Sequence, residues 1–168
     1  VKEEKRALVK ISEMLGVPED KVSVKIENLL LHLRNLEKKL NQIQSQLLIS
    51  SLDNIIKEAV KLDGKNFISK FMEGYDADSL RKTIDLIKQR LPSSVVFLST
   101  LINNKVFLTI GITDDLVKKG LDASKILKKI LPLMGANGSG RPDFAQAGGG
   151  NPSKINDVQD ELKKIIQG

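Results

Sequence analysis

Apolar residues recur at helical spacing through the first third of the chain. Residues 2–15 follow the period of an amphipathic helix, which we expect to end at Gly16 because Pro18 cannot continue it. A longer helix is predicted over residues 19–62. Its apolar positions alternate steps of four and three residues, which is typical of the a and d positions of a coiled coil. The members of this seam are Val22, Ile26, Leu29, Leu33, Leu36, Leu40, Ile43 and Leu47.

The apolar seam predicts that the long helix packs against another segment of protein, because a and d positions are normally buried. Its pattern breaks at Ser50-Ser51 and resumes one residue later, which rotates the apolar face by about 100°. We expect the first half of the helix to pack on residues 2–15 and on another chain or domain, with Leu29 and the later seam positions supporting dimerisation. The second half is expected to pack on the rest of the chain. A helix buried wholly within its own chain is the alternative.

Residues 63–168 carry mixed patterns and are predicted to form a globular α/β domain, beside a helical arm of residues 1–62. An edge strand is expected over residues 65–73, followed by a helix that Asp76 caps. Two apolar runs flank Asn103-Asn104, a pair that suits a two-residue hairpin. The predicted fold is therefore α/β (α+β), with a small mixed sheet of three or four strands flanked by helices and a coiled-coil arm at the N-terminus.

In the last third of the chain, a group of lysines is followed by a glycine-rich stretch. A short helix over residues 114–119 and a helix that begins at Asp122 precede this stretch, residues 138–150, which we interpret as a loop with a possible strand at Phe144–Ala147. Asn151-Pro152 then suits the start of a final helix. The lysines on the outer faces of the two helices are Lys118, Lys119, Lys125, Lys128 and Lys129.

Composition narrows the class of protein. The chain has 168 residues, and its 27 Lys and Arg against 21 Asp and Glu give a net charge of +6, which favours polyanionic partners. It has no cysteine, which fits a reducing, cytoplasmic location, and no apolar run of membrane-spanning length.

His32 is the single histidine, so a zinc site and a histidine-based catalytic constellation are not expected. Because the chain starts at Val1 within an amphipathic pattern, we expect it to be a fragment of a larger protein.

The sequence Gly-Arg-Pro-Asp-Phe-Ala-Gln-Ala-Gly-Gly, residues 140–149, resembles the C-terminal signature of alanyl-tRNA synthetases, whose last domain is called C-Ala. That domain is related to the nucleic-acid-binding domain of DHH-type phosphodiesterases. The resemblance implies a domain that binds the outer corner (elbow) of alanine-specific tRNA, links aminoacylation with editing, and contributes to a possible homodimer. It also implies a parent ligase that uses ATP and zinc, together with further domains, whereas this segment is expected to hold no cofactor and to catalyse nothing.

Given this resemblance, the candidate nucleic-acid-binding residues are Arg141, the five lysines, Gly140 and Gly149. A lysine face that is simply solvated is the alternative for the basic residues. Arg141 stands where the phosphodiesterase relatives would be expected to have histidine, which argues against that activity. Two other functions remain open: an accessory domain of a DHH-type phosphodiesterase, and a plain coiled-coil oligomerisation module.

Overall fold

The computed structural model describes residues 1–168, which divide into two compact units, Val1–Leu47 and Leu48–Gly168. The helices are α1 (Lys2–Leu15), α2 (Val22–Lys57), α3 (Ala77–Arg90), α4 (Asp114–Lys118), α5 (Ala123–Met134) and α6 (Ile155–Gln167). The strands are β1 (Val60–Leu62), β2 (Lys65–Phe71), β3 (Ser94–Ile102), β4 (Lys105–Ile112), β5 (Asn137–Arg141) and β6 (Phe144–Gly150). Short 3₁₀ turns cover Glu19–Lys21 and Pro152–Lys154. None of the helices combines the length and apolar character needed to cross a membrane.

The first unit contains α1 and the seam of α2. As predicted, α1 ends at Gly16, whose φ of 64° closes the helix in the left-handed conformation. No residue of α1 is buried, and the seam positions from Leu29 to Leu47 keep 45% to 63% of their surface exposed. The expected packing of the first half of the helix on residues 2–15 therefore does not extend to these positions, although Val22, the first seam position, is buried. The expected packing on another chain or domain stays a prediction, and the alternative that the long helix is buried wholly within its own chain is wrong.

The long helix is shorter than predicted. It begins at Val22 after a 3₁₀ turn and ends at Lys57 instead of residue 62. Val60–Leu62 instead forms β1, which pairs antiparallel with β2 through Val60↔Phe67. The turn between these strands uses positive φ at Asp63 (48°) and Gly64 (74°). Pairing with β2 gives the backbone of β1 its hydrogen-bond partners. This pairing overrides the helical spacing by which Leu62 follows Ile55 and Ala59.

The second unit is built on one mixed sheet of six strands in the order β1-β2-β3-β4-β6-β5. Only β2 and β3 are parallel; the other neighbouring pairs are antiparallel. The expectation of three or four strands is wrong, because the sheet also contains β1 and β5 at its two edges. The expectation that β2 lies at an edge is also wrong, since it lies between β1 and β3.

Both faces of the sheet are covered, as the apolar runs of β3 and β4 predicted. One face packs against α5 and α6, whose buried residues include Ile130 and Leu162. The other packs against α3 and the end of α2, where Leu52 is fully buried, so the expectation for the second half of the long helix is confirmed. The hairpin between β3 and β4 turns through Asn103 and Asn104 at φ 51° and 59°, also as predicted.

Candidate nucleic-acid interface

The glycine-rich stretch is a β-hairpin. Strands β5 and β6 pair through Gly138↔Ala147 and Arg141↔Phe144, and Pro142-Asp143 forms the turn between them. The interpretation of this stretch as a loop is therefore wrong. The possible strand at Phe144–Ala147 is confirmed, and it continues to Gly150. Asn151 caps the turn that follows, as predicted, because its side chain accepts a hydrogen bond from the Ser153 N–H.

The glycines of the hairpin have structural roles. A Cβ on Gly140 would lie 2.5 Å from the Phe144 carbonyl oxygen and would overlap Ala145, and a Cβ on Gly138 would lie 2.6 Å from Ala147 Cα. Side chains at these two positions are excluded because β5 approaches the backbone of β6 too closely. Gly149 differs, since it has a φ of 85° and open space around it. It lies at a β-bulge, where β6 uses one residue more than β4.

The turn holds Arg141 in an exposed position. Its Nε lies 3.3 Å from Asp143 Oδ1, and the arginine side chain is 67% exposed. Beneath it, the Pro142 carbonyl accepts a hydrogen bond of 2.8 Å from the Ala123 N–H, the first residue of α5. The Asp143 carbonyl accepts a hydrogen bond of 2.9 Å from the Ile112 N–H. Backbone bonds from two other elements therefore fix the turn while the guanidinium faces solvent.

Two basic residues of α3 lie beside this turn. Lys88 Nζ is 3.5 Å from the Asp143 carbonyl oxygen, and the Arg81 guanidinium lies 5.1 Å from the centre of the Phe144 ring. Phe144 itself belongs to the core, with 9% of its surface exposed, so it is not available to stack on a base. Neither α3 residue was predicted for the site. Lys88 is 55 residues from Asp143 in the chain, and only the packing of α3 on the sheet brings it there.

The five predicted lysines lie on or directly after α4 and α5, and Lys125 is the one placed next to the turn of the hairpin. Ala123 opens α5 at the Pro142 carbonyl, so Lys125 lies in the helical turn next to Arg141. Lys128 and Lys129 follow about one turn further along the same helix, at about 1.5 Å per residue. Lys118 ends α4 and Lys119 is the residue after it; all five lysines are exposed.

The two predicted glycines, Gly140 and Gly149, lie far apart in the hairpin. Gly140 is next to Arg141, whereas Gly149 lies at the far end of β6. Gly149 is four residue steps from Ala145, the partner of Gly140, which corresponds to roughly 13 Å of strand. Gly149 therefore belongs to the opposite end of the hairpin from Arg141.

The carboxylates of this region are ion-pair partners, helix caps or acceptors of hydroxyl hydrogen bonds. Hydrogen bonds from Ser124 lower the pKa of Asp122, which caps α5, and a hydrogen bond from the Ser93 hydroxyl lowers the pKa of Asp115. Groups with lowered pKa values stay ionised at neutral pH and are poor general acids. No three His, Cys, Asp or Glu side chains gather at a point where they could hold a metal ion. The arrangement is suited to binding anions by Arg and Lys.

Comparisons with known proteins agree with the motif. The alanine–tRNA ligase of Acetivibrio thermocellus is 37% identical over 98% of this chain, which corresponds to 19% of that enzyme. The chain thus spans about a fifth of the length of the ligases it matches. The crystal structure of the C-Ala domain from Aquifex aeolicus alanyl-tRNA synthetase has a TM-score of 0.62 at 24% identity and covers 66% of this chain and 99% of that domain.

The fold is shared more widely. RecJ from Thermus thermophilus, solved with Mg²⁺, has a TM-score of 0.56 at 11% identity, and the match covers 89% of this chain and 21% of that protein. At this identity the likeness concerns the fold alone.

Residues 140–149 indicated a resemblance to the C-terminal domain of alanyl-tRNA synthetases. The similarity to the ligases and to C-Ala confirms this resemblance. A family model described as the DHHA1 domain matches residues 64–168, so the chain belongs to the DHHA1 domain family.

Proposed function

We propose that this chain is the tRNA-binding and dimerisation part of an alanine–tRNA ligase, which contacts the outer corner of alanine-specific tRNA. The observation that carries the proposal is the exposed Arg141 in a turn bonded to the first residue of α5, the helix that carries the exposed Lys125, Lys128 and Lys129. The similarity to alanine–tRNA ligases over 98% of the chain supports tRNA as the polyanion. The site has no aromatic side chain free to stack on bases, which favours recognition of phosphates and 2′-hydroxyls.

Asp143 has a positioning role in this proposal. Its carboxylate holds the Arg141 guanidinium at 3.3 Å from Nε and 3.4 Å from Nη2, so the planar donor group is already oriented. Exposed ion pairs of this kind contribute only about 0.2–1 kcal/mol, so a phosphate with its larger charge can displace the carboxylate. Arginine suits this exchange because its donors form a flat fork that matches phosphate oxygens.

The exposed seam of α2 is proposed to be the dimerisation surface. Leu29, Leu33, Leu36, Leu40 and Ile43 each leave 45% to 56% of their surface in water. Burying an apolar surface of this kind is favourable by about 25 cal/mol per Å², and a second copy of the same helix offers the matching a and d positions. The exposed stripe spans roughly 21 Å at about 1.5 Å per residue, which is two heptads.

The remaining features of the proposed parent enzyme lie outside this chain. ATP and alanine are proposed to bind elsewhere in the ligase, and zinc in its editing part. In this proposal the present chain helps the aminoacylation and editing parts to act on one tRNA.

The test measures the affinity of the 168-residue chain for a tRNA(Ala) transcript over a salt series. Each lost phosphate contact is expected to change the log–log slope by about one unit, and Arg141→Ala is expected to weaken binding about ten-fold. Replacing Lys125, Lys128 and Lys129 together by alanine is expected to weaken binding to all folded tRNAs. Lys38→Ala with Lys39→Ala, on α2, is the control. If only this control loses affinity while the other variants bind normally, the proposed RNA surface is wrong.

A further inference from the structure

An open cavity lies at the end of the hairpin opposite Arg141. Its volume is about 480 Å³, and Lys105, Asn151, Lys154 and Gly149 line it, with Leu133 and Met134 on the side of α5. The lysines of this cavity are not among the basic residues already assigned to tRNA binding.

The sheet register explains how this cavity forms. Val106 pairs with Gly150, so Lys105 at the start of β4 comes beside the end of β6. The Asn151 N–H donates a 2.9 Å hydrogen bond to the Met134 carbonyl, which joins the start of the last helical segment to the end of α5. The bulge at Gly149 leaves backbone without a side chain at the cavity wall. Residues from three distant parts of the chain are thus brought to one place.

The cavity is suited to an anion. None of its lining residues is acidic. Lys105 makes no ion pair, and Lys154 has only a contact of 3.7 Å with Asp157 in which both side chains are at least half exposed. Asn151 Oδ1 accepts hydrogen bonds from the backbone N–H and the hydroxyl of Ser153, each at 3.0 Å, which leaves the amide Nδ2 as a donor. The cavity of about 360 Å³ beside Lys88 differs, because Asp85 and Asp114 line it.

We propose that this second cavity binds a backbone phosphate of RNA through Lys105 and Lys154. The proposal rests on the tRNA-binding function proposed above and extends it from one end of the hairpin to the other. Strand β5 connects the two ends, and all five of its residues, Asn-Gly-Ser-Gly-Arg, are exposed. Its four residue steps correspond to roughly 13 Å. Because its central residues are glycine and serine, an RNA backbone can pass close to it between Arg141 and the cavity.

The test replaces Lys105 and Lys154 together by glutamine. We expect binding of the tRNA(Ala) transcript to weaken roughly three-fold for each lysine and about ten-fold for the pair, the range of exposed ion pairs. The salt-dependence slope should become shallower by about two units. The matched control is Lys163→Gln with Lys164→Gln, which removes the same charge from exposed positions further along α6.

The outcomes separate this site from the function on which it rests. Weaker binding and a shallower slope for the Lys105 and Lys154 pair, with the control unchanged, support the site. If the pair matches its control while Arg141→Ala still weakens binding, the cavity does not hold a phosphate and the proposed function stands. If the unmodified chain does not bind tRNA at all, the proposed function fails and this site fails with it.

Discussion

Replacing Gly140 by alanine tests whether the hairpin glycines serve the packing of the strands. A Cβ at this position would lie 2.5 Å from the Phe144 carbonyl oxygen and would overlap the Cα and Cβ of Ala145. These neighbours are backbone atoms and a methyl group, so no flexible side chain can move aside. Overpacking of this kind destabilises a protein by about 1–3 kcal/mol. We therefore expect Gly140→Ala to lower the free energy of unfolding by about 2 kcal/mol.

The edge position of β5 sets an upper limit to this loss. Strand β5 pairs only with β6, so it can separate from the sheet if the strain exceeds the stabilisation that its pairing provides. Each cross-strand hydrogen bond contributes about 0.5–1.5 kcal/mol net, which places the loss of the whole ladder at only a few kcal/mol. The rest of the sheet is expected to stay folded in either case.

Urea unfolding followed by tyrosine fluorescence measures the effect. Tyr75 is the only tyrosine, the chain has no tryptophan, and Tyr75 packs against the core of the second unit. With an m-value of about 1.5 kcal/mol per M, a loss of 2 kcal/mol lowers the unfolding midpoint by about 1.3 M.

Ser139→Ala is the matched control for this experiment. Ser139 is exposed on the same strand, and a surface change of this kind is expected to stay within about 0.5 kcal/mol. If Gly140→Ala and Ser139→Ala unfold at the same urea concentration, the close approach of β5 to β6 does not explain the glycine.

Three further predictions concern the seam, a helix cap and catalysis. Leu36→Lys or Leu40→Lys should reduce self-association in sedimentation without changing the urea midpoint reported by Tyr75; unchanged sedimentation of both variants would refute the seam as an interface. Asp76→Ala should destabilise the chain by about 1 kcal/mol at pH 7, because Asp76 caps α3 with a 2.8 Å bond from the Ser79 N–H. Hydrogen bonds from Ser79 lower the pKa of Asp76 below 3.8, so its contribution is present above that pH and is lost as the pH falls through the lowered pKa. The difference between variant and parent should therefore shrink from pH 7 to pH 3, and a constant difference would contradict this linkage. The purified chain should neither turn over ATP with alanine nor hydrolyse a dinucleotide, and either activity would show that a catalytic site has been missed.

Local chemistry in the sequence determined several elements directly. Asp76 and Asp122 each precede a helix and accept hydrogen bonds from its first turn, which needs only residues two or three positions away. Asn103-Asn104 turns the central hairpin because asparagine tolerates positive φ. The seam of α2 follows from its a and d spacing alone. Residues 140–149 indicated the family, since a motif is read from consecutive residues.

Tertiary structure decided which segments pair and which side chains meet. Leu62 continues the helical spacing of Ile55 and Ala59, yet Val60–Leu62 forms β1 because β2 supplies its hydrogen bonds. The glycine-rich stretch has the composition of a loop. It forms a hairpin of β5 and β6 because β6 also pairs with β4, and the two hairpin strands approach each other closely. Lys88 reaches the Asp143 carbonyl, and Lys105 shares a cavity with Lys154, only through the packed sheet. Periodicity and capping depend on near neighbours in the chain, whereas strand pairing and surface charge clusters depend on contacts between residues far apart in sequence, and no local pattern records those contacts.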